Sequence, residues 1–133
     1  MRVFFFLITL VFTFSVQAQD EYHNIRQNDD VVISYKIVEV KKKGALIPQI
    51  KLSIENKSEK YESVSFQINL HYVMEFIEAF QVSDMCIAPG KTVKGNIKGL
   101  FYNPEGLTYD QLVSTEFEII IEEVKVKKLD SCK

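Results

Sequence analysis

The stretch that most constrains this chain runs from Ser63 to Tyr72. There Val64, Phe66, Ile68, Leu70 and Tyr72 alternate one for one with Ser63, Ser65, Gln67, Asn69 and His71. Successive side chains of an extended chain point to opposite faces, so the alternation specifies a strand with one apolar and one polar face. Such a strand is stable only when other strands flank it and a second layer covers its apolar side.

The neighbouring sequence supplies candidates. Val31, Ile33, Tyr35 and Ile37 share one side, with Ser34 and Lys36 on the other, until Lys41-Lys42-Lys43-Gly44 ends the run. Ile50, Leu52 and Ile54 then alternate with Lys51, Ser53 and Glu55, followed by turn chemistry at Asn56-Lys57-Ser58-Glu59. This run and the Ser63–Tyr72 strand read as a hairpin. The segment Val73–Val82 fits two periods: Val73, Phe76, Ile77 and Phe80 match a helix, whereas Met74, Phe76, Phe80 and Val82 match a strand with Glu78 out of place. Because sheet neighbours are available on either side, it reads as a strand preceded by a turn, with a helix as the alternative.

Pro89-Gly90 marks a type II turn, since Pro presets the second position and Gly tolerates positive φ at the third. A strand over Thr92–Tyr102 should leave it, with Val93, Ile97 and Phe101 inward and with Gly95 and Gly99 marking bulges or close backbone approach. Asn103-Pro104-Glu105-Gly106 closes that strand. Thr108 then begins a short helix through a capping box with Gln111, stapled by Leu107 onto Leu112 and ending near Ser114. A last strand places Phe117, Ile119 and Ile121 against Glu116, Glu118 and Glu122. Its phase shifts at Glu122-Glu123, where a bulge is expected, before Val124 and Val126 continue.

Several short strands with turns between them and one short helix specify an all-β fold, an antiparallel immunoglobulin-like sandwich of about six to seven strands. On this strand spacing, on the Ala88-Pro89-Gly90-Lys91-Thr92 turn and on the capped helix before the final strand, Val31–Leu129 resembles small immunoglobulin-like or fibronectin-like domains. The resemblance implies architecture alone. The chain has no Trp for the central core position of antibody domains, and Cys132 follows the last strand.

The N-terminus addresses the chain. Arg2 precedes an apolar run from Val3 to Val16, and Val16-Gln17-Ala18 offers small residues for cleavage, so residues 1–18 read as a signal peptide. The run is shorter than the roughly 20 residues of a membrane span. Residues 19–30 are polar and read as a flexible lead-in, leaving 31–133 as one domain. Export to a secreted or periplasmic compartment would favour a disulfide between the only cysteines, Cys86 and Cys132, the alternative being two separate thiols. The full chain carries 16 basic and 18 acidic side chains. Without Arg2 the net charge is −3, which argues against nucleic acid as a partner.

No cluster reaches the quality of a catalytic or cofactor site. Gly90-Lys91-Thr92 lacks the upstream glycine of a phosphate loop, because Met85 stands there. His23 and His71 have no metal-ligand spacing. Glu116, Glu118, Glu122 and Glu123 invite a two-carboxylate hydrolase reading, yet their spacing is that of a solvated strand face. Lys41-Lys42-Lys43 and Lys125-Lys127-Lys128 suit loops and exposed edges, where they block unwanted strand pairing, the alternative being that they steer an acidic partner or a membrane surface. Asn56-Lys57-Ser58 is a glycosylation triplet, relevant only to a eukaryotic secretory route, and the composition favours a bacterial exporter.

The functional surface is placed at Tyr72, Met74, Phe76, Ile77 and Phe80, with Met85 nearby, because more large apolar side chains crowd there than one strand face can hide, the alternative being that all of them pack into the core. The expectation is an exported, non-catalytic binding module without metal or cofactor, its partner another protein. The alternatives are an envelope inhibitor or toxin-neutralising protein, a small carboxylate-dependent hydrolase, and a structural role through edge pairing.

Overall fold

The computed structural model describes residues 21–133. The expected signal peptide, residues 1–18, lies outside the described residues. Among those described, eight strands and one short helix form two antiparallel sheets. The first sheet contains β1 (His23–Gln27), β2 (Val31–Lys42), β3 (Ala45–Asn56), β6 (Thr92–Lys94) and β7 (Phe101–Tyr102). Its order is β1-β2-β3-β6, with β7 also paired to β3. The second sheet has the order β5-β4-β8, from β4 (Tyr61–Tyr72), β5 (Glu75–Ile87) and β8 (Phe117–Leu129). Helix α1 (Tyr109–Leu112) lies on the connection into β8.

The all-β sandwich follows from the alternations. Val31, Ile33, Ile50, Leu52 and Ile54 of the first sheet face Val64, Phe66, Ile68 and Leu70 of β4, and all are buried. Each such side chain contributes about 1.5–3 kcal/mol on leaving water. Leu100, Leu107 and Leu112 close the core where the chain passes between sheets. The helix has the predicted capping box: Thr108 Oγ1 accepts from the Gln111 backbone N–H, and Gln111 Oε1 accepts from the Thr108 N–H.

The register corrects three expectations. First, the hairpins are β2–β3, closed by Lys43-Gly44, and β4–β5, closed by Val73-Met74. The Asn56–Lys60 segment does not close a β3–β4 hairpin but carries the chain from one sheet to the other. Asn56 is fully buried, and its amide donates to the carbonyls of Lys60 (2.7 Å) and Ile87 (3.0 Å) while its oxygen accepts from Ser58 N–H (2.9 Å). The apparent glycosylation triplet is thus a structural brace. Period-2 patterning assigns a face to each strand and says nothing about its neighbour.

Second, Thr92–Tyr102 is two short strands rather than one. Turns at Lys94–Ile97 and Ile97–Leu100 interrupt it, Leu100 takes the buried position, and Ile97 and Phe101 are exposed. Gly95 dictates the break: a Cβ there would lie 2.5 Å from Lys51 Cβ, so the backbone passes directly over that side chain. Third, part of the polar lead-in is ordered, since β1 pairs with Val32–Tyr35 of β2.

Candidate functional site

Chain direction brings both hairpin turns to one end of the sandwich. β2 descends to Lys43-Gly44, β3 returns, the Asn56–Lys60 connection crosses at the far end, and β4 descends to Val73-Met74. The start of β8 lies at this same end, because Tyr72 pairs with Phe117. Leu46, Val73, Met74, Phe76 and Val113, five of the seven large apolar side chains exposed among the described residues, fall on these turns, on the strand residues beside them or just after α1.

The β4–β5 turn is the most unusual of these features. Tyr72 pairs with Glu75, so Val73 and Met74 alone form the loop, at φ of 50° and 66°. Positive φ at both central positions defines a type I′ turn, which favours Asn-Gly. A β-branched residue there is a steric outlier, and such strain costs on the order of 1–3 kcal/mol per residue. Nothing about the turn hides its apolar groups. Met74 is 94% exposed, Phe76 59% and Val73 53%. Val73 N–H donates to the Glu116 carbonyl at 3.1 Å, which ties the tip to the chain entering β8. Val73, Met74 and Phe117 line an open concavity of about 400 Å³ whose polar wall is Thr115, Glu116 and Glu118.

A bulge sorts the five predicted residues into two groups. The pairing steps from Leu70↔Glu78 to His71↔Phe76 and leaves Ile77 as the extra residue. Phe76 is thereby turned onto the outer face, where its ring meets His71 edge-on at 5.7 Å. Tyr72, Ile77 and Phe80 pack against the core instead. Phe80 stacks on Tyr102 at 4.3 Å between ring centres. Glu78, out of phase in the sequence, anchors the 103–106 loop: its carboxylate accepts from Tyr102 Oη (2.7 Å) and Gly106 N–H (3.0 Å). Burial, with that hydrogen bond and the Glu78 charge, pushes the Tyr102 hydroxyl up to about 12.

The remaining candidates resolve individually. Cys86 and Cys132 form a disulfide with Cα atoms 5.6 Å apart, joining β5 to the tail that follows β8. Glu116, Glu118, Glu122 and Glu123 are all exposed. Positive φ at Glu123 (53°) and a register step between Ser65 and Gln67 place the expected bulge in β8. β1 is bulged at Ile25, and β5 is bulged twice. Every long edge strand among the described residues is therefore interrupted, a feature that blocks strand addition and weighs against an edge-pairing role. Gly90, at φ 68°, completes the type II turn closed by Lys91 N–H to Ala88 O at 3.1 Å. No group of three or more potential metal ligands gathers among the described residues, and no helix among them is long and apolar enough to cross a membrane.

Sequence reasoning missed Val73 and Glu78. A two-residue gap between alternating runs would have flagged the turn by its length, although its residues lack turn chemistry.

Fold and tip together define a disulfide-tied antiparallel β-sandwich that displays apolar side chains from a strained turn. Compared with family models, curated proteins and solved structures, the chain matches none.

Proposed function

We propose that this protein is an exported, non-catalytic binding module whose β4–β5 tip engages another protein. The observation that carries the reading is the turn: Val73 and Met74 adopt positive φ, where Asn-Gly would be free of strain, and present their side chains to solvent. Strain retained at an exposed position is characteristic of a functional surface. Glu75, Glu116 and Glu118 rim the tip, so the complementary partner has an apolar recess bordered by Lys or Arg. A projecting tip suits a concave partner, which favours an envelope inhibitor or toxin-neutralising protein among the binding roles.

Export is supported by the Arg2 and Val3–Val16 signal pattern together with the formed disulfide. The immunoglobulin-like or fibronectin-like likeness is kept at the level of architecture. The order β1-β2-β3-β6 against β5-β4-β8 keeps three consecutive strands in one sheet, unlike the interleaved antibody arrangement. The hydrolase reading is not carried forward, because its four glutamates are spread over an exposed face.

The test compares wild type with Val73→Asn/Met74→Gly and with Glu75→Gln/Glu116→Gln/Glu118→Gln in pull-downs from the native extracellular or periplasmic fraction. The first variant should lose the wild-type partner while remaining folded. The second should weaken it and reduce its salt sensitivity. A folded Val73→Asn/Met74→Gly variant that retains every partner overturns the proposal.

A further inference from the structure

A second surface, on the outer face of the first sheet and independent of the tip, has the composition of an anion site. Lys36 of β2 lies directly opposite Lys51 of β3, and Lys51 lies directly opposite Phe101 of β7. Because His23 pairs with Tyr35, the residue before it, Tyr22, continues the row beside Lys36. A single line across four chain segments therefore reads Tyr22, Lys36, Lys51, Phe101. At about 4.8 Å per inter-strand step it is roughly 14 Å long.

Lys94 of β6 is opposite Ser53, which sets it diagonally from Lys51 on the same face. The ammonium groups of Lys36 and Lys94 stand 4.8 Å and 5.9 Å from the centre of the same Tyr22 ring. Tyr22 thus gathers two cations to one side of the row, while Phe101 leaves a 40% exposed aromatic side chain at the other.

This arrangement works against folding. Like charges directly opposite each other on neighbouring strands are destabilising, and the register places no carboxylate opposite any of the three lysines. The backbone at Gly95 also passes directly over the stem of Lys51. Around the row the sheet face is polar and tightly satisfied. Ser34 Oγ donates to Asn24 Oδ1 at 2.8 Å, and Gln49 Nε2 donates to Asn103 Oδ1 at 3.0 Å. Neighbouring polar side chains therefore hydrogen-bond one another, while the lysines oppose no acid.

We propose that Lys36, Lys51 and Lys94, with Phe101 as a stacking platform, form a binding site for an acidic polysaccharide lying across the strands. The ligand chemistry follows from the row. Two adjacent ammonium groups take carboxylate or sulfate groups borne by successive sugar units, and the open Phe101 ring takes the apolar face of a sugar ring. Ser34, Gln49 and Ser53 around the row are buried and Lys36 and Lys51 half-buried, whereas Lys94 and Phe101 are exposed, so a polymer would lie over the side-chain ends and not on the sheet backbone. Cation–π contacts hold the Lys36 and Lys94 side chains over Tyr22, which limits the freedom lost on binding.

The experiment measures binding of the purified protein to alginate, a polyuronate, and to dextran sulfate over a range of salt concentrations, with neutral dextran as reference. Wild type should bind at least one acidic polymer, more weakly as salt rises, and should ignore neutral dextran. Which polymer binds distinguishes carboxylate from sulfate recognition. Lys36→Gln/Lys51→Gln should weaken binding about tenfold or more, and should lower the salt slope by about one for each lysine lost. Phe101→Ala should weaken binding at every salt concentration without changing the slope. Removal of the Lys36–Lys51 repulsion should leave the double variant at least as thermally stable as wild type, so lost binding cannot be attributed to unfolding. Lys125→Gln/Lys127→Gln, on β8 of the other sheet, serves as the control. Failure of wild type to bind either polymer, equal binding of neutral dextran, or an equal loss in the control overturns the proposal, as does capture of an acidic protein in place of both polymers.

Discussion

The β2–β3 and β4–β5 hairpins have nearly equal strands, turn at the same end of the sandwich and close with two residues at positive φ, yet they are built differently. The first closes on Lys43-Gly44, with Gly44 at φ 79° and an unbroken register of twelve pairs. The second closes on Val73-Met74, steps its register twice and is tied at its far end by the Cys86–Cys132 bond. Glycine removes the steric cost at one of the two positions of the first turn and leaves it at Lys43 (φ 51°), whereas the second turn bears it at both positions and leaves Val73 and Met74 exposed. One hairpin is optimised as structure, and the other departs from that optimum where contact with a partner is proposed.

Removing the staple should give the largest effect. The bond closes a separation of 46 residues, so Cys86→Ala/Cys132→Ala should cost about 4 kcal/mol by chain entropy. Denaturant unfolding measures the loss. Hydrogen exchange should show β5 and β8 opening more readily than β2 and β3; equal loosening of both hairpins would show that the bond acts on the whole domain.

Asn56→Ala comes next. Leaving the carbonyls of Lys60 and Ile87 without their donor should cost about 1–3 kcal/mol, read as a fall in unfolding midpoint at constant m-value.

Turn substitutions sharpen the contrast through their sign. Val73→Asn/Met74→Gly should stabilise the protein by about 1–2 kcal/mol, whereas Gly44→Ala should destabilise it by about 1 kcal/mol. Calorimetry of both variants decides the matter, and a loss of stability in the first would show that the Val73-Met74 turn is not strained.

The last prediction concerns Glu62, the fully buried inward-facing residue near the start of β4, whose two oxygens have no hydrogen-bond partner. Burial raises its pKa, and Asp30 adds to the rise, while the Ser58 side chain and Lys128 oppose it. Because the folded-state pKa exceeds the unfolded one, Glu62 favours the fold below the ordinary carboxylate pKa and loses that contribution as pH rises through the folded value. Glu62→Gln should flatten this decline, gaining stability at neutral pH and nothing at acid pH. Thermal unfolding from pH 3.5 to 8 tests it, and parallel curves for the two proteins would contradict the assignment.

Much of the fold was legible because its rules are local. Alternation marked the faces of β2, β3, β4 and β8, Thr108 and Gln111 marked the helix, and Glu122-Glu123 marked a bulge that lies there in β8. What stayed hidden depends on distant residues. Gly95 signals a close backbone approach but not that Lys51 lies beneath it, and the turn expected before β5 closes on two residues that disfavour it. Of the candidate site, Met74 and Phe76 were legible from apolar crowding, although the same crowding included Tyr72, Ile77 and Phe80, which pack against the core. Only the bulge at Ile77 separates the two groups, and no short-range pattern encodes it.

Asn56 also bears on how the protein can be produced. Its amide nitrogen is committed to two carbonyls inside the sandwich, so an oligosaccharyltransferase could reach it only before the chain has folded. In a eukaryotic expression host, a glycan at Asn56 would therefore mark molecules barred from the native state, and the glycosylated fraction would report directly on how often folding lost the race.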